Sequence, residues 1–150
     1  MSKIAFIGTG IMGKPMAENL QKAGHDLIFS DHFNPAPEDL VAAGATVVSS
    51  PALATEQADV IILMVPNTPQ VEDVLFGDNG VEQGLSSGGA AGKIVIDMSS
   101  ISPIATKKIA ARVNESGAAY LDAPVSGGEV GAINASLTIM VGGEQEAFDK

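Results

Sequence analysis

Short runs in which nearly every position is apolar alternate along this chain with stretches whose apolar residues recur every third or fourth position. KIAFIG (3–8), DLIFSD (26–31), DVIILMV (59–65), KIVIDMS (93–99), AYLDAPV (119–125) and LTIMVGG (137–143) have the length and β-rich content of strands. Several lack the polar alternation of a half-exposed strand, which suits a sheet covered on both faces. ATVVS (45–49) reads as a weaker strand.

Between these runs the period changes. Met12, Met16 and Leu20 fall at i, i+4 and i+8 ahead of Gly24, and Ile101, Ala105, Ile109 and Val113 repeat the pattern ahead of Gly117. Each set predicts a helix with one apolar stripe and a glycine stop. PEDLVAAG and TPQVEDVLFG add two further helices, and the small residues of GLSSGGAAG (84–92) read as a surface loop. Strand and helix in alternation predict a Rossmann-like, doubly wound, mainly parallel sheet with helices on both faces. One domain over residues 1–150 is expected, since the chain suffices for one core and is short for two.

Composition narrows the chemistry. Eight basic against 18 acidic residues give a net charge of −10, with no basic cluster, so neither nucleic acid nor an anionic membrane is an expected partner. There is no cysteine and only two histidines, His25 and His32, which disfavours a thiolate or histidine metal site. A reducing cytoplasm fits that composition. The apolar run at the N-terminus is too short for a signal peptide core or a membrane span, so no leader is expected.

The first chemical motif is GTGIMG, Gly8 to Gly13, between the first strand and the first helix. A pyrophosphate is held by N–H groups at a helix N-terminus, and residues without Cβ let the chain turn there and approach it. Gly8, Gly10 and Gly13 meet that need, and Pro15 in the first helical turn costs no hydrogen bond. The same glycines would also serve a tight structural turn. Asp31 ends the second strand, 18 positions beyond Gly13. There a carboxylate accepts hydrogen bonds from the adenosine ribose and repels a 2′-phosphate, favouring NAD over NADP; an Asp at a strand end is also an ordinary turn former. MVPN (64–67) and DMSS (97–100) close the fourth and fifth strands, where a doubly wound sheet binds its ligands. Met64 and Val65 offer an apolar wall, Pro66 stiffens the turn, and Ser99 offers a hydroxyl to a ribose or carboxamide. The plainer alternatives are a core methionine and a helix cap, with Ser100 or Ser102 as the cap.

FIGTGIMGKPMAENL, MVPNTPQVEDVLFG, VIDMSSISP, DAPVSGGEVGA and LTIMVGG, in this order and spacing, resemble the β-hydroxyacid dehydrogenases, the 3-hydroxyisobutyrate dehydrogenase-like family, over essentially the whole chain. The resemblance implies an oxidoreductase using NAD or NADP, with a small hydroxyacid or aldehyde substrate and a homo-oligomeric full-length protein. It puts Ile11 and Met12 under the pyrophosphate, Asp31 at the adenosine ribose, Met64 to Pro66 along the cofactor, Ser99 near the nicotinamide ribose, and Ser126, Gly127 and Gly128 at the substrate carboxylate. A hydroxyl and exposed N–H groups are donors suited to a carboxylate. The family's catalytic lysine lies in a G-x-G-x-x-x-K-x-x-x-N segment that leads into an all-helical second domain, and is expected beyond Lys150. GGEQEAFDK reads as the opening turns of a new helix, so the chain is expected to be cut there. Lys107 and Lys108 fall on the helix after the fifth strand and take no catalytic role. The isolated chain is expected to lack turnover.

Overall fold

A computed structural model describes residues 3–8, 13–30, 38–65, 68–99, 103–126, 128–135, 137–139, 141–143 and 145. The elements run β1 (Lys3–Ile7), α1 (Gly13–Lys22), β2 (Asp26–Ser30), α2 (Glu38–Ala42), β3 (Thr46–Val48), α3 (Pro51–Gln57), β4 (Val60–Leu63), α4 (Thr68–Phe76), α5 (Val81–Gly88), β5 (Ile94–Asp97), α6 (Pro103–Glu115), β6 (Ala119–Asp122), β7 (Val125–Ser126), α7 (Gly128–Ile133), β8 (Thr138–Ile139) and β9 (Gly142–Gly143). The main sheet has the order β3-β2-β1-β4-β5-β6-β9. Its first six strands are parallel and β9 is antiparallel to β6.

Alternation within each strand feeds two apolar layers. Ala5, Ile7, Ile28, Ile61, Leu63, Val95 and Tyr120 face one side and pack with Ala54 of α3, Val71, Val74 and Leu75 of α4, Val81 and Leu85 of α5, and Ile109 and Val113 of α6. Ile4, Phe6, Leu27, Phe29 and Ile62 face the other, against Met16 and Ala17 of α1, Leu40 of α2 and Ala132 of α7. Period two in the strands meets period 3.6 in the helices on both faces, which is the expected doubly wound arrangement.

Three segments depart from the sequence expectation. Residues 84–88 of GLSSGGAAG are not loop; they complete α5. A Cβ on Gly84 would lie 2.4 Å from the Ala52 carbonyl oxygen and 2.7 Å from Cβ of Thr55. The residue is small because α3 and α5 touch there, and close packing outweighs its weak helix propensity. The run AYLDAPV leaves the main sheet after Asp122, because Pro124 has no N–H to continue a ladder; Val125 and Ser126 pair instead with Ile139 and Thr138. LTIMVGG is therefore divided, its first part in β8 beside β7 and its glycines in β9 on the edge of β6.

α3 has no counterpart in the apolar pattern. It is built by its ends: Ser50 Oγ accepts from the Leu53 N–H at 3.3 Å, Pro51 opens the helix, and Lys93 closes it. Lys93 Nζ donates to the carbonyls of Thr55 at 2.6 Å, Ala58 at 2.8 Å and Glu56 at 3.3 Å. A cation on the last carbonyls of a helix satisfies acceptors the helix leaves orphaned.

Candidate active site

β1 lies between β2 and β4, so the chain order reverses at the carboxyl ends of β1 and β4 and opens a crevice there. Two glycines shape its floor. Gly8 has φ of +103°, and a Cβ on it would stand 2.0 Å from the Met64 carbonyl oxygen and 3.1 Å from Cγ1 of Val65. A Cβ on Gly13 would stand 1.7 Å from the Gly8 carbonyl oxygen and 3.3 Å from Phe6. The end of β1, the start of α1 and the end of β4 thus meet backbone to backbone, at distances only glycine allows. Such a turn brings a helix N-terminus, with its unpaired N–H groups, to the crevice. Of the other expected cofactor residues, Met64 and Val65 line the β4 end, whereas Gly10, Ile11, Met12, Asp31 and Pro66 lie outside the described residues.

The main-chain ladders run one residue past the strands at this edge. Met64 N–H donates to the Ile7 carbonyl, Met98 N–H to Leu63 and Ala123 N–H to Asp97, each at 2.8 Å. Val65 N–H comes next and points to the side of β5, where it donates to a side chain in place of a strand carbonyl, Ser99 Oγ at 2.9 Å. Ser99 is 1% exposed. Its hydroxyl faces inward, onto Val65 and the carboxylate of Asp97.

Asp97 is fully buried and bridges strands. Ser99 N–H donates to Oδ1 at 2.9 Å, and the Tyr120 hydroxyl donates to Oδ2 at 3.0 Å. Burial pushes the Asp97 carboxyl above the usual carboxylate range, and the hydrogen bonds from Ser99 and Tyr120 pull it part of the way back. Burial also raises the Tyr120 phenol, and the neighbouring Asp97 charge adds to it. Asp122, opposite Asp97 in the β5–β6 register, is raised by burial first and by Asp97 second. Asp97 and Tyr120 are not marked as site residues by any motif in the sequence. The available signals were an acid inside the apolar run KIVIDMS and the chain's one tyrosine, but the bond between them spans 23 positions and two strands.

On the expected substrate side, Ser126 ends β7 and Gly128 opens α7, while Gly127 lies outside the described residues. α7 is tied to α1 by Asn19 Nδ2, which donates to the Ala132 carbonyl at 2.6 Å. DAPVSGGEVGA is therefore a short strand leading into a helix docked on the helix that follows the glycine turn. An open groove of about 470 Å³ lies nearby, lined by Met16, Leu20, Ile96, Leu121 and Ile139 among others. Among the described residues that line it, Asn19 is the one polar side chain and none is titratable. That described lining is apolar, unlike the backbone groups that meet at the glycine crevice.

A parallel sheet of this order, with a glycine-only junction between its first strand and first helix, defines a dinucleotide-binding domain. The family described as the NAD binding domain of 6-phosphogluconate dehydrogenase matches residues 3–150, and the chain belongs to it. Its relatives are dehydrogenases and reductases. A 2-hydroxy-3-oxopropionate reductase of Escherichia coli (strain K12) is 51% identical over 148 residues, covering 99% of this chain and 49% of that protein. An NAD-dependent L-serine dehydrogenase of Pseudomonas aeruginosa is 46% identical over 150 residues, covering 100% of this chain and 49% of the relative. The structure of Mycobacterium tuberculosis 3-hydroxyisobutyrate dehydrogenase with L-serine superposes with a TM-score of 0.84 at 35% identity, over 99% of this chain and 49% of that one. The chain thus spans about half the length of the curated relatives it matches. No helix among the described residues is long and apolar enough to cross a membrane.

Proposed function

We propose that this chain is the cofactor-binding part of an NAD-preferring reductase that converts 2-hydroxy-3-oxopropionate (tartronate semialdehyde) to glycerate. The observation that carries the reading is the backbone junction of Gly8, Gly13 and Met64, a turn so close that any Cβ would overlap a carbonyl, at the crevice where the sheet order reverses. The substrate is assigned from DMSSISP and PNTPQVEDVLFG, which are close to the reductase pattern, and from the 51% identity to the Escherichia coli reductase.

In this reading Gly8, Gly10, Ile11, Met12 and Gly13 hold the pyrophosphate, Asp31 takes the adenosine ribose, and Met64, Val65 and Pro66 wall the cofactor. Ser99 stands in the wall by the nicotinamide ribose. Ser126, Gly127 and Gly128 take the substrate carboxylate through a hydroxyl and N–H groups, donors that need no net charge. The nicotinamide, when bound, supplies the hydride for the aldehyde carbon. The alkoxide then needs a proton, and no residue of this chain is assigned to give it. The family's lysine segment fits no stretch of the 150 residues. Self-association of the whole protein belongs to the same proposal.

A second reading, a 3-hydroxyisobutyrate dehydrogenase-type enzyme, draws on the fold match at 35% identity. The two part on substrate. With NAD present, glycerate should raise the melting temperature of the chain further and 3-hydroxyisobutyrate should not; the opposite order replaces the first reading by the second. Steady oxidation of NADH by the 150-residue chain with tartronate semialdehyde would overturn the assignment of the proton donor to a residue outside it.

A further inference from the structure

A string of hydrogen bonds crosses the carboxyl edge of three adjacent strands and ends beside the turn that follows a fourth. Tyr120 of β6 holds Asp97 of β5, Asp97 holds Ser99, Ser99 holds Val65 past the end of β4, and Val65 rests on Gly8 past the end of β1. All of its polar side chains are buried, with Asp97 at 0%, Ser99 at 1% and Tyr120 at 5% exposure. Resting on the dinucleotide reading above, we infer that Asp97 is a positioning residue for the cofactor crevice: through Ser99 it fixes Val65 and, with it, the turn at Gly8.

The geometry supplies the reason. Sheet hydrogen bonds specify the β4 backbone only as far as Met64, whose N–H still reaches the Ile7 carbonyl. The next amide, Val65, turns toward β5 and finds a side-chain oxygen in place of a strand. A serine hydroxyl has two acceptor sites and one proton and rotates freely, so by itself it fixes little. Here the Ser99 main chain is pinned by its own N–H on Asp97 Oδ1, which holds Oγ in place beneath the Val65 N–H. Oγ thus presents a lone pair to the Val65 N–H. Asp97 in turn is kept from rotating by Tyr120 on its second oxygen. A buried carboxylate is costly unless its oxygens are satisfied, and here each satisfying bond also orients the next group. Val65 matters because a Cβ at Gly8 would already touch its Cγ1 at 3.1 Å; a shift of Val65 into the crevice moves against the turn that must receive a phosphate.

The test uses the 150-residue chain, amide hydrogen exchange without ligand, and NAD affinity by calorimetry. Ser99→Ala removes the acceptor of Val65 and leaves every strand hydrogen bond in place. Val65 exchange should accelerate about tenfold or more while Met64 exchange, protected by the sheet, stays near the wild-type rate, and NAD should bind about tenfold more weakly. General loosening of the fold would accelerate both amides together, and that outcome overturns the inference, as does unchanged NAD affinity in the folded variant. Should Ser99→Ala fail to fold, Tyr120→Phe probes the same string by removing one donor and little volume. It should accelerate Val65 alone and weaken NAD binding by about two- to fivefold; no change in either overturns the inference. Asp97→Asn keeps an acceptor for Ser99 and gains a donor for Tyr120, so it should bind NAD within about threefold of wild type, whereas Asp97→Ala should not. If wild type does not bind NAD at all, the dinucleotide reading fails, and the Val65 to Met64 comparison still decides whether the string positions Val65.

Discussion

At the scale of single residues, the junction of Gly13 with Gly8 makes a prediction whose sign opposes helix propensity. Gly13 is the first residue of α1, and glycine to alanine in a helix ordinarily stabilises by up to about 1 kcal/mol. Here the new Cβ would overlap the Gly8 carbonyl, so Gly13→Ala should instead destabilise by about 1–3 kcal/mol in urea titration. Asp97 makes a pH prediction. Its folded-state pKa is raised, so between the ordinary carboxylate value of about 3.9 and that raised value the folded chain binds more protons than the unfolded one. Its contribution to stability is therefore greatest in acid and falls as pH rises through that window. Asp97→Asn removes the titration, and the stability of the variant relative to wild type should climb as pH is raised from about 4 toward 7, measured by urea titration at each pH. A flat difference would show that Asp97 titrates normally. The glycines were legible in the sequence because their need is local, a turn between a strand and a helix. Asp97, Ser99 and Tyr120 were not legible as a group, because their partnership exists only once β5 and β6 lie side by side.

At the scale of elements, the apolar pattern marked β1 to β6 and four of the helices because most of those, though not the short β3 and α2, present a run of buried apolar residues. It failed where an element is defined by its ends or by a partner. α3 is capped by Ser50 and Lys93, which lie 43 positions apart, and α5 hides behind serines and glycines, of which Gly84 is small because it touches α3. The divided run LTIMVGG shows the same limit, since strand content is local but the choice of partner is not. Lys93→Ala should consequently cost about 1–3 kcal/mol, more than an ordinary surface lysine, because three carbonyls at the end of α3 lose a charged donor. A loss under about 0.5 kcal/mol in thermal or urea unfolding would mean that solvent replaces the ammonium without penalty. By contrast, the Arg112–Glu82 pair at 2.8 Å joins α6 to α5 at an exposed surface, where such pairs contribute little.

At the scale of the molecule, a sheet whose order reverses between β1 and β4 carries a glycine junction at that reversal, with a buried string of side chains along its far wall. Of the rest of the proposed substrate site, Gly128 opens α7, which is docked against α1. The apolar groove beside α1, with Ile139 46% exposed and Val141 40% exposed, is a separate feature of the opposite chemical character. What the whole arrangement must do, before any question of turnover, is bind a dinucleotide. The measurement that tests this most directly is thermal unfolding of the 150-residue chain with and without NAD. At a concentration about tenfold above its dissociation constant, a ligand that binds only the native state adds about 1.4 kcal/mol of stability. For a chain of this size the melting temperature should then rise by about 3–6 °C, and NADP should produce a smaller rise at equal concentration if Asp31 receives the ribose. No rise with either dinucleotide at about 5 mM, in a chain that unfolds cooperatively, would contradict the account.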